Sequence, residues 1–224
     1  MIRVVHHISH GGIFIKIGII GAAGQSGVLL VEEALKQGHE VTAIVRDSNK
    51  VSNKEVAIIE KDLFALELVD LVDFDVVIDA FGAWGENISL HITSLKHLRS
   101  ILKGHKTTRL VVIGSAGSLL LDDNGTRLID SPDMPAEFKP LATVMAQAYD
   151  ELKGDSEVNW TYVSPPPVFI VEAPLTNNVQ LGDDYLMVNA QGEAKLSYAD
   201  LAVVVIAELQ TANYLNKRMS IIEK

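Results

Sequence analysis

The sequence contains no cysteine. That absence excludes a disulfide framework, a thiolate nucleophile and a cysteine-ligated zinc site. It accords with a cytoplasmic protein. An excess of basic residues is also missing: 19 Lys and Arg stand against 29 Asp and Glu, for a formal net charge of −10. Binding a phosphate backbone needs a basic face, so no nucleic-acid partner is expected. No apolar run approaches the length of a membrane span, and no membrane association is expected. The first fifteen residues do not read as a signal peptide, because histidines interrupt the apolar stretch and no small-residue cleavage site follows. Internal repeats, low-complexity tracts and linkers are absent as well. The 224 residues therefore read as one domain, long enough to bury a full core.

Hydrophobic residues make up 48% of the chain, as in a globular protein. Their pattern alternates between two periods. Lys16–Ile20 is a short, Ile-rich, nearly all-apolar run, the signature of a strand buried on both faces of a parallel sheet. Gly24–Gln37 follows with helical spacing, Val28, Val31 and Leu35 on one side, and Gly38 is placed to stop the helix. The unit then recurs. Strands are predicted at Glu40–Val45, Glu55–Glu60, Asp75–Ala80, Arg109–Gly114 and Val158–Ser164, and a last edge strand at Met219–Ile222. Helices are predicted at His91–Leu102, with Ile92, Leu95, Leu98 and Leu102 on one face, and at Leu141–Leu152. Ser197 and Asp200 have capping-box spacing and open a further helix to about Leu209. Strands alternating with helices imply an α/β fold with a doubly wound parallel sheet.

Residues 1–15 precede this pattern and read as a flexible N-terminal extension. His6, His7 and His10 have no carboxylate or scaffold beside them and read as tail rather than as a metal site. Residues 16–224 form the domain. Leu119–Pro140 and Pro165–Gly192 read as irregular excursions from the carboxyl ends of strands, where open parallel sheets bind ligands. The small region around residues 165–197 is expected on the substrate side.

The turn after the first strand carries the functional argument. It reads Gly21-Ala22-Ala23-Gly24-Gln25-Ser26-Gly27. Gly21 would allow the reversal, Gly24 the approach of a pyrophosphate to the backbone, and Gly27 close packing of helix on strand. Amides at the helix start, from Ala23 through Gly27, would meet the phosphate charge. The turn predicts a Rossmann-type site for a nicotinamide dinucleotide. At the end of the second strand stands Arg46, with Lys50 four residues on. A guanidinium suits a ribose 2′-phosphate, so NADP(H) is favoured over NAD(H); the adjacent Asp47 offers the alternative, a 2′-hydroxyl contact. Strand-end topology adds Asp62 and Leu63 beside the adenine, and Ala80, Phe81, Gly82, Ser115 and Ala116 beside the rest of the cofactor. Trp84 either stacks on a flat substrate or covers a core edge. His91 either reaches the pocket or satisfies backbone at a helix start. Ser115 is the catalytic candidate, although its hydroxyl could equally satisfy loop backbone.

Taken together, Lys16 through Gly27, Val45-Arg46-Asp47, Leu110 through Leu119, Trp160-Thr-Tyr-Val-Ser-Pro-Pro166 and Leu196-Ser-Tyr-Ala-Asp-Leu-Ala202 resemble the NmrA-like, atypical short-chain dehydrogenase family. Within it the chain is most similar to the small bacterial NADH-flavin reductase subgroup, whose human relative is biliverdin-IXβ reductase. The resemblance runs in order from Lys16 to the C-terminus. It implies a dinucleotide-binding fold and, for some members, hydride transfer to flavins or quinones. It also implies that Ser115 lies near the nicotinamide, that Pro165 borders the cofactor and that Pro166 shapes the pocket floor. Two departures narrow the chemistry. Tyr149 and Lys153 have the Tyr-x-x-x-Lys spacing of classical short-chain dehydrogenases but fall late in their helix and read as structural. Pro167 stands where biliverdin-IXβ reductase has a histidine, so the proton donor for tetrapyrrole reduction is missing.

A carbonyl acceptor needs a proton donor, whereas a reduced flavin or quinone anion takes its proton from water. The sequence thus points to a reductase with FMN, FAD or a quinone as substrate rather than as prosthetic group. The alternative is a non-catalytic dinucleotide sensor like some NmrA relatives. The expected partner is a small-molecule acceptor, and the chain is expected to be a monomer or homodimer.

Overall fold

The computed structural model describes residues 13–224 of the chain. The extension assigned to residues 1–15, with His6, His7 and His10, therefore lies almost wholly outside the described residues. Ile15, at its end, is buried, and its carbonyl accepts a hydrogen bond from Glu40 N–H at 3.1 Å.

Strand β1 spans Lys16–Ile20 and leads into helix α1, Gln25–Lys36. The buried side of α1 is Gly27, Leu30, Val31 and Ala34. Val28 and Leu35 flank this stripe half-buried, so the apolar face is turned from the expected one to let Gly27 touch the turn. The helix stops at Gly38 (φ +86°), where Gly38 N–H bonds Leu35 carbonyl and His39 N–H bonds Ala34 carbonyl. That pairing is a Schellman cap. Then follow β2 (Glu40–Val45), β3 (Ala57–Glu60), the one-turn helix α2 (Leu68–Leu71), β4 (Val76–Asp79), α3 (Leu90–Leu102), β5 (Arg109–Ile113), α4 (Lys139–Lys153) and β6 (Asn159–Ser164). The chain ends with β7 (Val168–Ile170), β8 (Val179–Gly182), β9 (Lys195–Ser197), α5 (Tyr198–Thr211) and β10 (Lys217–Glu223).

The main sheet has eight strands in the order β3-β2-β1-β4-β5-β6-β10-β8. All pairings are parallel except β10 with β8. The direction of winding reverses between β1 and β4, the Rossmann arrangement. Helices α1 and α5 pack together, as do α3 and α4, and two apolar clusters cover the sheet. The expected doubly wound α/β fold is thus the observed one. Among the described residues no helix is long and apolar enough to cross a membrane.

Differences gather at the C-terminal end. The Met219–Ile222 segment was expected at the sheet edge, but β10 is interior and β8 takes the edge. The segment read as irregular, residues 165–192, supplies both β7 and β8. The former pairs with β9 in a separate two-stranded sheet. Strand β8 has two exposed residues between two half-buried ones and no apolar run, so local pattern hides it. Helix α4 starts two residues earlier than expected, because Pro140 fits the first turn of a helix, where its missing N–H costs nothing.

Candidate functional site

The glycine turn joins β1 to α1 at the point where the winding reverses. Gly21 has φ +75°, and a Cβ there would stand 2.7 Å from the Ala80 carbonyl oxygen. A Cβ on Gly27 would overlap the Gly21 carbonyl and stand 2.7 Å from Ala22 Cα. Both glycines are therefore demanded by the chain itself. Gly24 is different: it is exposed, and a Cβ there would meet only the Gly21 carbonyl, at 3.2 Å. Internal packing leaves room that its missing side chain does not need.

The N-terminus of α1 is bare. Gly24 supplies no side-chain cap, and the first turn has no acidic residue. Val28 N–H bonds the Gly24 carbonyl, but the amides of Gln25, Ser26 and Gly27 find no acceptor among the described residues. Free amides at the positive end of a helix dipole suit a phosphate. The residues present thus fit a pyrophosphate.

Arg46 follows β2 and is exposed, without a carboxylate partner among the described residues; the same holds for Lys50. Asp47 is engaged differently. Its Oδ1 accepts from Asn49 N–H at 3.0 Å and caps the short turn Ser48–Lys50. Asp62 caps the next turn, accepting from Phe64 N–H at 2.9 Å. Leu63 is 5% exposed, and Phe64 beside it is 41% exposed.

Beyond β4, Ala80 and Phe81 are half-buried and Gly82 is exposed; beyond β5, Ser115 is half-buried and Ala116 buried. The Ser115 hydroxyl has one long contact, accepting from Gly117 N–H at 3.4 Å. Pro165 and Pro166 are buried after β6, and no peptide bond among the described residues is cis. Trp84 is 68% exposed, so it covers no core edge. The His91 ring nitrogen Nε2 lies 3.1 Å from the Ala83 carbonyl and 3.3 Å from Ala83 N. This helix-start histidine does hold backbone, and burial lowers its pKa. Its ring stands edge-on to Phe81, 5.7 Å away.

Tyr149 is buried, and its hydroxyl donates to Asp184 Oδ1 at 3.0 Å. Lys153 is exposed, with its ammonium 5.9 Å from the Tyr149 ring centre. Burial pushes the Tyr149 pKa far up. The pair is structural, as its late helical position implied. Beneath it lies a feature sequence reading missed. The buried Arg218 guanidinium sits 3.7 Å from the Tyr149 ring centre and donates to the Ser118 carbonyl at 3.0 Å and the Ser118 hydroxyl at 2.8 Å. Asp184 Oδ1 is 3.6 Å from Arg218 Nε. Asp184 belongs to the second excursion and Ser118 immediately precedes the first, so one cation on β10 links both segments to the Tyr149 ring of α4.

Asp79 was also missed. It ends β4, is buried, and accepts from Phe81 N–H at 3.1 Å. Burial pushes its pKa up to about 6. The only signal in the sequence was an acidic residue closing an apolar strand.

Comparisons with known proteins agree with this geometry. A family model described as NAD(P)H-binding matches residues 21–212. The chain is 43% identical to the uncharacterized protein YwnB of Bacillus subtilis (strain 168), across 93% of this chain and 99% of that one. A solved structure from Streptococcus pneumoniae TIGR4, called a "putative NADH-flavin reductase", is also 43% identical and superposes with a TM-score of 0.89, covering 94% of this chain and 100% of that one. A structure from Lactobacillus casei is 29% identical with a TM-score of 0.85, covering 93% and 99%. The chain belongs to the NAD(P)H-binding family, with an oxidoreductase-like dinucleotide fold.

Proposed function

We propose that the protein is an NAD(P)H-dependent reductase that passes hydride to a flavin or quinone-like acceptor, with NADP(H) preferred. The observation that carries this reading is a bare, phosphate-ready helix start with no Tyr–Lys pair facing it. The bound dinucleotide supplies the hydride. The amides of Gln25 to Gly27 hold its pyrophosphate, and Arg46 with Lys50 holds the 2′-phosphate. The unpaired state of both cations and the use of Asp47 as a turn cap support that preference. Ala80 to Gly82, Ser115, Ala116 and Pro165 flank the cofactor. Trp84 and Pro166 border the acceptor, Trp84 offering a flat exposed face suited to a flat ring. Ser115 has hydroxyl capacity to spare for a hydrogen bond to the acceptor. His91 acts from behind, by fixing the loop at Ala83.

A flavin or quinone fits this arrangement because ring positioning suffices for transfer and the resulting anion is protonated by solvent. The protein is proposed to work in the cytoplasm as a monomer or homodimer. The test is oxidation of NADPH and NADH with FMN, FAD, riboflavin and quinones, alongside cofactor binding by calorimetry. Turnover with a flavin or quinone, faster with NADPH, is the expected result. Tight binding with no oxidation of either cofactor would refute the reductase and leave a dinucleotide-responsive regulator.

Arg46→Ala separates the cofactors. It should weaken NADPH binding by about tenfold or more, the worth of a charge-assisted phosphate contact, and leave NADH nearly unchanged. Equal losses for the two would remove the NADP(H) preference.

A further inference from the structure

Asp79 is a buried carboxyl to which the reductase reading gives no task. It stands one residue before Ala80, at the carboxyl end of β4, and borders a small, partly open cavity of about 10 Å³. That is room for about one water molecule. Strand β5 contributes Val112 and Ile113 to the wall, and α4 contributes Met145 and Ala148. The titratable groups facing Asp79 are His91 from α3 and Tyr162 from β6. Tyr162 gives its proton to the Met145 carbonyl, 3.1 Å away, and His91 Nε2 is turned to Ala83. No lysine or arginine lines the cavity. An ionised Asp79 thus has one backbone donor, Phe81 N–H, and no counter-charge. Such a group responds strongly to any charge that arrives nearby, because little solvent screens it.

We propose that Asp79 couples proton binding to the charge of the dinucleotide held at the carboxyl ends of β1 and β4. The oxidised form, with its cationic ring, binds to the protein with Asp79 ionised; the reduced form, with its neutral ring, binds with Asp79 protonated. This inference rests on the cofactor assignment of Ala80 to Gly82 made above. The oxidised ring provides the counter-charge that the cavity wall lacks. Between pH 5 and 7.5 the affinity for the oxidised form therefore rises with pH relative to that for the reduced form, by at most about tenfold per pH unit for one proton. The effect is a property of binding and does not require turnover.

The experiment is calorimetric titration at pH 6 in two buffers of different ionisation enthalpy, with NADP⁺ and NADPH separately. Wild type, Asp79→Asn and His91→Gln proteins are compared. With a carboxyl that titrates near 6, wild type should release about half a proton on binding NADP⁺ and take up about half a proton on binding NADPH. Asp79→Asn should abolish that difference, and His91→Gln should keep it. Equal proton counts for the two forms in wild type overturn the proposal. So does a difference that persists in Asp79→Asn, or one lost only in His91→Gln. Absence of binding by either form would instead refute the cofactor site itself. If Asp79→Asn does not fold, carboxyl ¹³C NMR of wild type decides: saturating NADP⁺ should lower the Asp79 midpoint by about one pH unit or more, and NADPH should not. An Asp79 midpoint that moves equally with both forms is the overturning result.

Discussion

Gly24 and Gly27 lie three residues apart in one turn, yet their lost hydrogens do different work. A methyl group on Gly27 collides with backbone that cannot move without opening the turn. Gly27→Ala should cost at least the usual overpacking penalty of about 1–3 kcal/mol in chemical denaturation. A methyl on Gly24 meets one oxygen at 3.2 Å and otherwise faces outward. Gly24→Ala should stay within about 1 kcal/mol of wild type, because overpacking is slight, while dinucleotide affinity falls about tenfold or more. Loss of fold in Gly24→Ala, with cofactor binding intact in Gly27→Ala, would reverse these assignments. Asp79 poses the opposite case, a residue that stability would remove. Its folded pKa of about 6 lies above the ordinary carboxyl value of 3.8, so the folded protein holds more protons between those values. Stability from this group is complete below pH 3.8 and is lost as pH rises through 6. Above pH 7 the ionised carboxyl costs about 3 kcal/mol, an order-of-magnitude figure for a pKa raised this far. Asp79→Asn should therefore be more stable than wild type at pH 8, with the gain shrinking below pH 5. A gain that is flat with pH would assign the effect to packing instead.

Helix α5 shows how one short motif organises several elements. Ser197 caps it, accepting from Asp200 N–H at 2.9 Å and donating to Asp200 Oδ2 at 2.6 Å. The same carboxylate accepts from Thr176 N–H, the Thr176 hydroxyl and Asn177 N–H. The cap thus reaches outside its helix and anchors the connection between β7 and β8. Ser197→Ala should cost about 1 kcal/mol, as for other N-caps. Asp200→Ala should cost more, about 2–4 kcal/mol, since several donors lose their acceptor together. It should also open residues 171–178 to proteolysis, which Ser197→Ala should not. The capping spacing was legible in the sequence; the anchored loop was not, because Thr176 is distant along the chain. The same contrast runs through the fold. Strands β1, β2, β4, β5 and β6 are legible because strands covered on both faces need continuous apolar residues. Strands β7, β8 and β9 are three or four residues long, and β8 pairs with β10 across all of α5, so no local pattern records them. In the site, the glycine turn is legible because its steric demand is local. Asp79 passes as part of a strand.

At the scale of the molecule, Asp184 of one excursion and Ser118, just ahead of the other, converge on Arg218. Its charge is inside the protein, stacked on Tyr149 and bonded to Ser118. Arg218→Leu should cost about 2–3 kcal/mol, the worth of a lost charge-assisted hydrogen bond to buried partners. Under the proposed function it should also raise the acceptor KM more than the cofactor Kd, because the cleft walls loosen while the glycine turn, at the far side of the sheet, is untouched. A Kd that worsens as much as KM would show that the walls also hold the dinucleotide. The two tryptophans occupy opposite surroundings, Trp160 being 3% and Trp84 68% exposed. Their light emission should differ accordingly, blue-shifted and protected from iodide for Trp160, red-shifted and quenchable for Trp84. The protein thus carries two optical reporters without labelling: Trp160 should follow unfolding of the sheet and, under the proposed function, Trp84 should follow arrival of a flat molecule at the cleft.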